Sequence, residues 1–312
     1  MELQCVSAEE YHRICGTYQY FYNGMEFHEL NKDKVEQVVY MIFSEKKNKL
    51  ALAVGIKEDK IKIPYSSPFG IFEKLQKHIK LEEIEQALDL LEQYAHKNNL
   101  YEIFFRLPPV VYDMDFISKL QNCLINKGYK LDICDLNYQF YLRNMEQYYE
   151  TLYRNARKNL NTAIKQEFLF KHCESQKERK DAYDVIALNR SQKGYPLRMT
   201  YEQVEDTIKL TNNDFFILSM EEVHIAAAII FQVNAECYQV IYWGDISGYE
   251  KQRPMNYLAY KVYEYYVKQG IYILDIGPST EDGIPNYGLC DFKESIGCSV
   301  SIKNSYIKRL KR

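Results

Sequence analysis

The chain has 312 residues, enough for one large domain or for two of about 150. Its formal net charge of -3 gives no global attraction to nucleic acid or anionic lipid, so such a partner would have to be held by a local patch. No run approaches the ~18 apolar residues of a membrane span, residues 1–10 lack a signal-peptide core, and the eight cysteines form no C-x-x-C pair. A cytoplasmic chain with reduced, mostly buried thiols and no metal site is expected. The 29 tyrosines are amphipathic residues suited to core or groove, and they identify no site.

In chain order, Gln37 to Ser44 is β-like, Lys46-Lys47-Asn48-Lys49 makes a polar turn, and Leu50 to Ile56 returns as a second strand. A third strand lies near Lys60 to Tyr65. Pro68-Phe69-Gly70 follows it. Glycine permits close backbone approach, so this turn reads either as ligand-facing or as a plain connector. Leu81, Ile84, Leu88, Leu91 and Ala95 trace a helical stripe. Tyr101 to Arg106 is a strand broken by Leu107-Pro108-Pro109. Asp115-Phe116 opens a short helix that Gly128 stops before Tyr129 to Ile133, and Tyr138 to Leu142 closes the first half.

Asn144 offers a helix cap, and Met145 to Gln166 reads as one long helix with Leu152, Ala156, Leu160 and Ala163 on its apolar stripe. Arg154, Arg157, Lys158 and Lys165 share another face, suited to phosphates or simply to solvent. Phe168 to Cys173 is a strand. Helices from Lys177 to Gln192 and from Tyr201 to Leu210 are separated by Gly194-Tyr195-Pro196. Asp214 to Met220, Ile225 to Val233 and Cys237 to Trp243 form an antiparallel meander, and His224 at its turn reads as a surface or packing residue rather than a catalyst.

A helix with Leu258, Val262 and Tyr265 on one stripe ends at Gly270, where a left-handed residue is needed. Ile271 to Ile276 is a buried strand ending in Gly-Pro. Asp291 then caps a short helix with Phe292 and Lys293 in its first turn, stopped by Gly297. Asp275 reads as a strand-end carboxylate holding the following turn, ahead of a role as base. No glycine-rich phosphate loop, H-E-x-x-H, G-x-S-x-G or G-K-[ST] motif occurs, so metallohydrolase, serine hydrolase and P-loop NTPase chemistry are poorly supported.

Helix, strand, proline break, Asp-Phe, short helix and glycine recur in both halves, which points to two related domains, 1–144 and 145–312. This order resembles the GNAT acyltransferase fold. The residues that carry the likeness are Arg154-Asn155-Ala156-Arg157-Lys158-Asn159, Asp275-Ile276-Gly277-Pro278-Ser279, and Gly288-Leu289-Cys290-Asp291-Phe292-Lys293 with Gly297. Two such domains in tandem resemble the FemABX-like group, whose members extend peptidoglycan cross-bridges by transferring amino acids.

The resemblance implies an α/β (α+β) chain of two tandem GNAT-like domains, each a mixed, mainly antiparallel twisted sheet flanked by helices. It implies an N-acyltransferase that modifies an amine of a cell-wall or surface-polysaccharide precursor. The acceptor would be a nucleotide-linked or peptidoglycan-type small molecule, the donor aminoacyl-tRNA or acyl-CoA, and DNA no partner. The GNAT pyrophosphate loop, [QR]-x-x-G-x-[GA], is replaced by the glycine-free Glu250-Lys251-Gln252-Arg253-Pro254-Met255-Asn256. FemABX-like proteins also lack that loop and use aminoacyl-tRNA. No helical-hairpin insertion of the kind some of that group use for tRNA is seen.

By the same resemblance, Lys293 would stabilise the oxyanion of acyl transfer and Phe292 would shape the pocket wall, with N–H donors added by a first-turn position. Arg154, Arg157 and Lys158 would grip phosphates. Tyr65 with Pro68, Phe69 and Gly70 would line the first domain's side of a cleft, and Asn286 with Tyr287 would contact substrate from the second. A coenzyme A-dependent amino-sugar acetyltransferase and a catalytically silent, ligand-binding domain pair are the alternatives.

Overall fold

The computed structural model describes residues 1–311. A first unit holds residues 1–136, 282–284 and the C-terminal residues from Ser301. Its elements are β1 (Glu2–Val6), α1 (Ala8–Cys15), α2 (Met25–Leu30), β2 (Gln37–Ser44), β3 (Asn48–Lys57), β4 (Lys60–Ile63), β5 (Glu73–Lys74), α3 (Leu81–Lys97), β6 (Glu102–Arg106), α4 (Met114–Asn126) and the start of β7 (Lys130–Tyr141). The β2–β3 hairpin sets Tyr40 opposite Ala53 and Met41 opposite Leu52. β3 pairs antiparallel with β4, and β4 runs parallel to β6, with Lys62 opposite Phe104. Helix α3 makes the crossover that a parallel pair needs. Its Ile84, Leu88, Leu91 and Ala95 are fully buried, whereas Leu81, the first helical residue, stays exposed.

The second unit holds residues 137–281 and 285–300. It contains the rest of β7, then α5 (Met145–Thr151), α6 (Arg154–Ile164), β8 (Phe168–His172), α7 (Gln176–Lys193), α8 (Tyr201–Ile208), β9 (Asn213–Met220), β10 (Val223–Asn234), β11 (Cys237–Asp245), α9 (Pro254–Lys268), β12 (Ile273–Pro278) and α10 (Tyr287–Ser295). Two short strands, β13 (Thr280–Glu281) and β14 (Ile284–Pro285), precede α10, and β15 (Ser299–Arg309) ends the chain. The strand order is β7-β12-β11-β10-β9-β8, antiparallel throughout except for the parallel pair β11–β12. Each unit is therefore a mixed, mainly antiparallel sheet flanked by helices.

The two units interleave, where the sequence suggests a single cut between residues 144 and 145. From Ser301 onward β15 belongs to the first unit, antiparallel to β6 with Ser305 opposite Arg106. A strand's own pattern does not encode a partner that distant in sequence. The strands expected at 129–133 and 138–142 are one strand, β7, because nothing between them breaks it.

Three helical expectations are corrected. The long helix of 145–166 is two helices, parted where Leu152 and Tyr153 are extended and the Tyr153 N–H bonds the Ser295 carbonyl at 3.0 Å. The buried stripe of α9 is Leu258, Ala259, Val262, Tyr263 and Tyr266, and Tyr265 sits at its edge. Helix α10 begins a turn early, because Asn286 caps it by accepting the Leu289 N–H at 3.1 Å. Asp291 is then a mid-helix surface residue, and Lys293 lies in the last turn. The N–H donors of a first turn are not available beside it.

Candidate active site

β11 and β12 pair only over Cys237–Ile273, Tyr238–Leu274 and Gln239–Asp275. Beyond that register, Val240, Ile241, Trp243, Gly244 and Asp245 of β11 and Ile276, Gly277 and Pro278 of β12 line a cavity of about 650 Å³, bordered also by α7, α9 and α10. An opening at the C-terminal ends of strands, where a parallel pair parts, is a usual place for a ligand.

The edge of the cavity beside Lys293 is built by a β-bulge. β12 slips register against β7 between Asp275 and Gly277, and Gly277 adopts φ +76°. Nothing lies within 4 Å of a Cβ built there, so the glycine is required by its backbone angle and not by crowding. Asp275 is fully buried, and it accepts the Gly277 N–H at 2.8 Å, Asn137 Nδ2 at 2.7 Å and Gln239 Nε2 at 2.8 Å. It holds the turn, as a strand-end aspartate does.

The bulge turns three consecutive carbonyls toward Lys293, which is only 2% exposed. Its Nζ donates to the oxygens of Ile276 at 3.1 Å, Gly277 at 2.8 Å and Pro278 at 3.1 Å. It also sits 5.5 Å from the Tyr138 ring centroid. Burial pushes its pKa down to about 8, a shift that Cys298, Asp275 and Cys290 oppose. The ammonium is thus mostly charged at neutral pH, and its direct partners are neutral.

Helix α7 supplies the opposite wall. Ser175 and Glu178 cap it reciprocally, and Ala182, Val185, Ile186 and Asn189 form its buried face. Asn189 Nδ2 donates to the Asp245 carbonyl at 2.6 Å. It lies so close to Gly244 that a Cβ there would fall 2.5 Å from its Cγ. Arg190 follows on the cavity side, its guanidinium 5.6 Å from the Tyr242 ring and 5.8 Å from the Tyr195 ring. Its Nε is buried without a hydrogen-bond partner. Burial lowers its pKa from the ordinary 12.5, yet a guanidinium remains charged. Lys193, by contrast, is paired with Asp245 at 3.0 Å.

Of the residues singled out from sequence, Lys293, Phe292 and Asn286 line this one cavity, Phe292 packing 6.4 Å from the Trp243 ring. Tyr287 is 76% exposed and lies outside the lining. Arg154, Arg157 and Lys158 line a separate shallow groove of about 390 Å³ on α6 with Lys165, whereas Asn159 of the same helix reaches the main cavity.

The first-unit residues are structural in their contacts. The Tyr65 hydroxyl donates to the His28 carbonyl at 2.9 Å. Phe69 is fully buried against Tyr20, Tyr22 and Tyr112. Gly70 donates its N–H to the Arg106 carbonyl at 2.8 Å, and Pro68 is half-buried beside them. Arg190 and Trp243 were not anticipated. The available signal was an arginine one turn beyond Ile186 on an otherwise apolar stripe.

No family profile and no curated protein matches this chain by sequence. Solved structures do match it in shape. FemX superposes with a TM-score of 0.71 at 12% identity, covering 99% of this chain and 98% of that one. L-PGS from Bacillus licheniformis gives 0.62 at 12% identity, with coverage of 98% and 91%. A tandem GNAT protein from the clavulanic acid biosynthesis pathway gives 0.54 at 7% identity, with coverage of 100% and 99%. The chain has the tandem GNAT fold, with two GNAT-like domains. Its arrangement is that of the FemABX-like group.

Proposed function

We propose that the chain is an N-acyltransferase that moves an acyl or aminoacyl group onto an amine of a cell-wall or surface-polysaccharide precursor, in the β11–β12 cavity. The observation that carries this is Lys293, a buried ammonium held by three neutral carbonyls at the edge of a cavity. An attacking amine forms the new C–N bond and pushes the carbonyl electron pair onto oxygen. That oxyanion would be the first anionic partner in direct contact with Lys293, so the interaction is strongest where charge develops. Collapse then expels the donor's ester oxygen or thiolate, and the amine proton leaves with solvent or the departing group.

Arg190, charged and with its Nε unpaired, suits a phosphate or carboxylate of the bound substrate. The sequence resemblance to the FemABX-like group supports an aminoacyl donor. So does the N-terminus of α9, where Arg253 is left-handed and Pro254 has no N–H to offer a pyrophosphate. The basic face of Arg154, Arg157, Lys158 and Lys165 suits the phosphate chain of a tRNA carrier.

The test is incubation with aminoacyl-tRNA or acetyl-CoA, together with UDP-linked muropeptides and UDP-linked amino sugars, followed by mass analysis of the acceptor. Product from aminoacyl-tRNA is expected, reduced ~10²-fold or more in Lys293→Met. A folded Lys293→Met protein with full turnover would remove Lys293 from the mechanism. Product only from acetyl-CoA and an amino sugar would assign the other donor class.

A further inference from the structure

The second unit has another cavity, of about 930 Å³, that shares no lining residue with the β11–β12 cavity. Its electrostatic features have one dominant sign. Asp214 on β9 faces it with a side chain only 12% exposed. Its Oδ2 accepts the Tyr266 hydroxyl at 2.7 Å, and its Oδ1 accepts the Tyr265 hydroxyl at 3.1 Å and His172 Nε2 at 2.8 Å. These are the His172 ring, an ion-pair partner when protonated, and two tyrosine hydroxyls, with no lysine or arginine among them.

The C-terminal ends of α8 and α9 reach the same space, through Ile208 and Leu210 on one side and Gln269 and Ile271 on the other. Both bring the negative ends of their helix dipoles. Tyr238, Tyr265 and Tyr266 form the walls, with ring centroids 4.8 Å apart for Tyr238–Tyr266 and 5.2 Å apart for Tyr265–Tyr266, the latter pair at 89°. Aromatic faces are also negative. Lys209 is the lining cation, and its ammonium is bound to Asp206 at 2.7 Å.

A carboxylate, two helix C-termini and three tyrosines together form a site for positive charge. A metal ion does not fit it, since no group of three or more His, Cys, Asp or Glu able to hold one occurs among the described residues. We propose that this cavity binds an organic ammonium group, with Asp214 as its counter-ion and Tyr238, Tyr265 and Tyr266 as its walls. Oδ2 of Asp214 carries a single hydrogen bond and has room for another, which favours a primary over a quaternary ammonium. The inference is independent of the acyltransferase reading, because no catalytic residue takes part in it.

The test is an NMR titration of the intact chain, following labelled tyrosine rings, with cadaverine, with tetramethylammonium and with 1,5-pentanediol as the neutral isostere of cadaverine. Cadaverine should shift the signals of Tyr238, Tyr265 and Tyr266 saturably, and pentanediol should not. Asp214→Asn, which keeps the side-chain shape, should weaken cadaverine roughly tenfold or more. Tighter binding of tetramethylammonium than of cadaverine would support the site and assign it to quaternary amines. Equal binding of pentanediol, no saturable shift, or an unchanged affinity in folded Asp214→Asn would overturn the proposal. The diol comparison uses the native chain, so it decides the matter even if the variant does not fold.

Discussion

Each unit contains one parallel pair reached through a long helix, β4–β6 in the first and β11–β12 in the second, and the two pairs end differently. In the first, the chain leaving β4 doubles back beside β6. Phe69 is buried there, and Gly70 takes the Arg106 carbonyl just past the last register pair. In the second, the chain leaving β11 turns away, and the strand ends beyond Gln239 and Asp275 border an open cavity with Lys293 at its edge. The same architecture yields a sealed core in one place and an open cavity in the other. A buried phenylalanine on a returning loop makes one, and a buried lysine under a bulge makes the other.

The contrast is broken most severely at Lys293. Lys293→Met should lower turnover ~10²-fold or more, and it also strips three carbonyls, two of them buried, of their donor, so thermal unfolding must be measured beside the rate. Next comes Phe69→Ala, which should cost about 3–5 kcal/mol of stability in denaturant unfolding, because it empties a fully buried site. It should create no acyl transfer, since Lys293 belongs to the second unit. Activity appearing at that gap would erase the distinction between the units.

Arg190→Leu should weaken binding of an anionic substrate by roughly tenfold or more. The melting temperature should change little, because the buried Nε has no hydrogen bond to lose and a leucine keeps apolar contact with the Tyr195 and Tyr242 rings. A large loss of stability would make Arg190 a structural residue. The smallest effect is on pH. Burial lowers the Lys293 pKa from 10.5 to about 8, so between these values the unfolded chain binds more protons than the folded one. Stability relative to Lys293→Met should therefore rise as pH passes from about 8 toward 10.5. Turnover that needs the ammonium should fall over the same rise. A rate that climbs through pH 8 would instead make neutral Lys293 a base.

Much of this was legible in the sequence. The hairpin of β2 and β3 and the meander of β9 to β11 announce themselves because burial gives them unbroken apolar runs bounded by polar turns. Lys293 stands out through its Phe-Lys pair and the following glycine. The Pro68-Phe69-Gly70 turn shows the limit. Glycine at 70 does permit close approach, but what approaches is the chain itself: a Cβ there would lie 2.8 Å from Ile63 Cγ2. Sequence tells that backbone comes close and not what it comes close to. Arg190 was hidden for the converse reason, as a charged residue near a helix end reads as solvated until the stripe it continues is seen to face a cavity. The return of β15 to the first unit depends on a partner some 200 residues away, as with Ser305 and Arg106.

The most direct measurement is an isoleucine-methyl NMR titration with an acceptor that supports turnover. Ile241 and Ile276 line the β11–β12 cavity, whereas Ile63 and Ile71 are packed in the first unit. Shifts at Ile241 and Ile276 with Ile63 and Ile71 unmoved are the predicted result. Shifts at Ile63 and Ile71 that leave Ile241 and Ile276 untouched would contradict it and place the chemistry elsewhere.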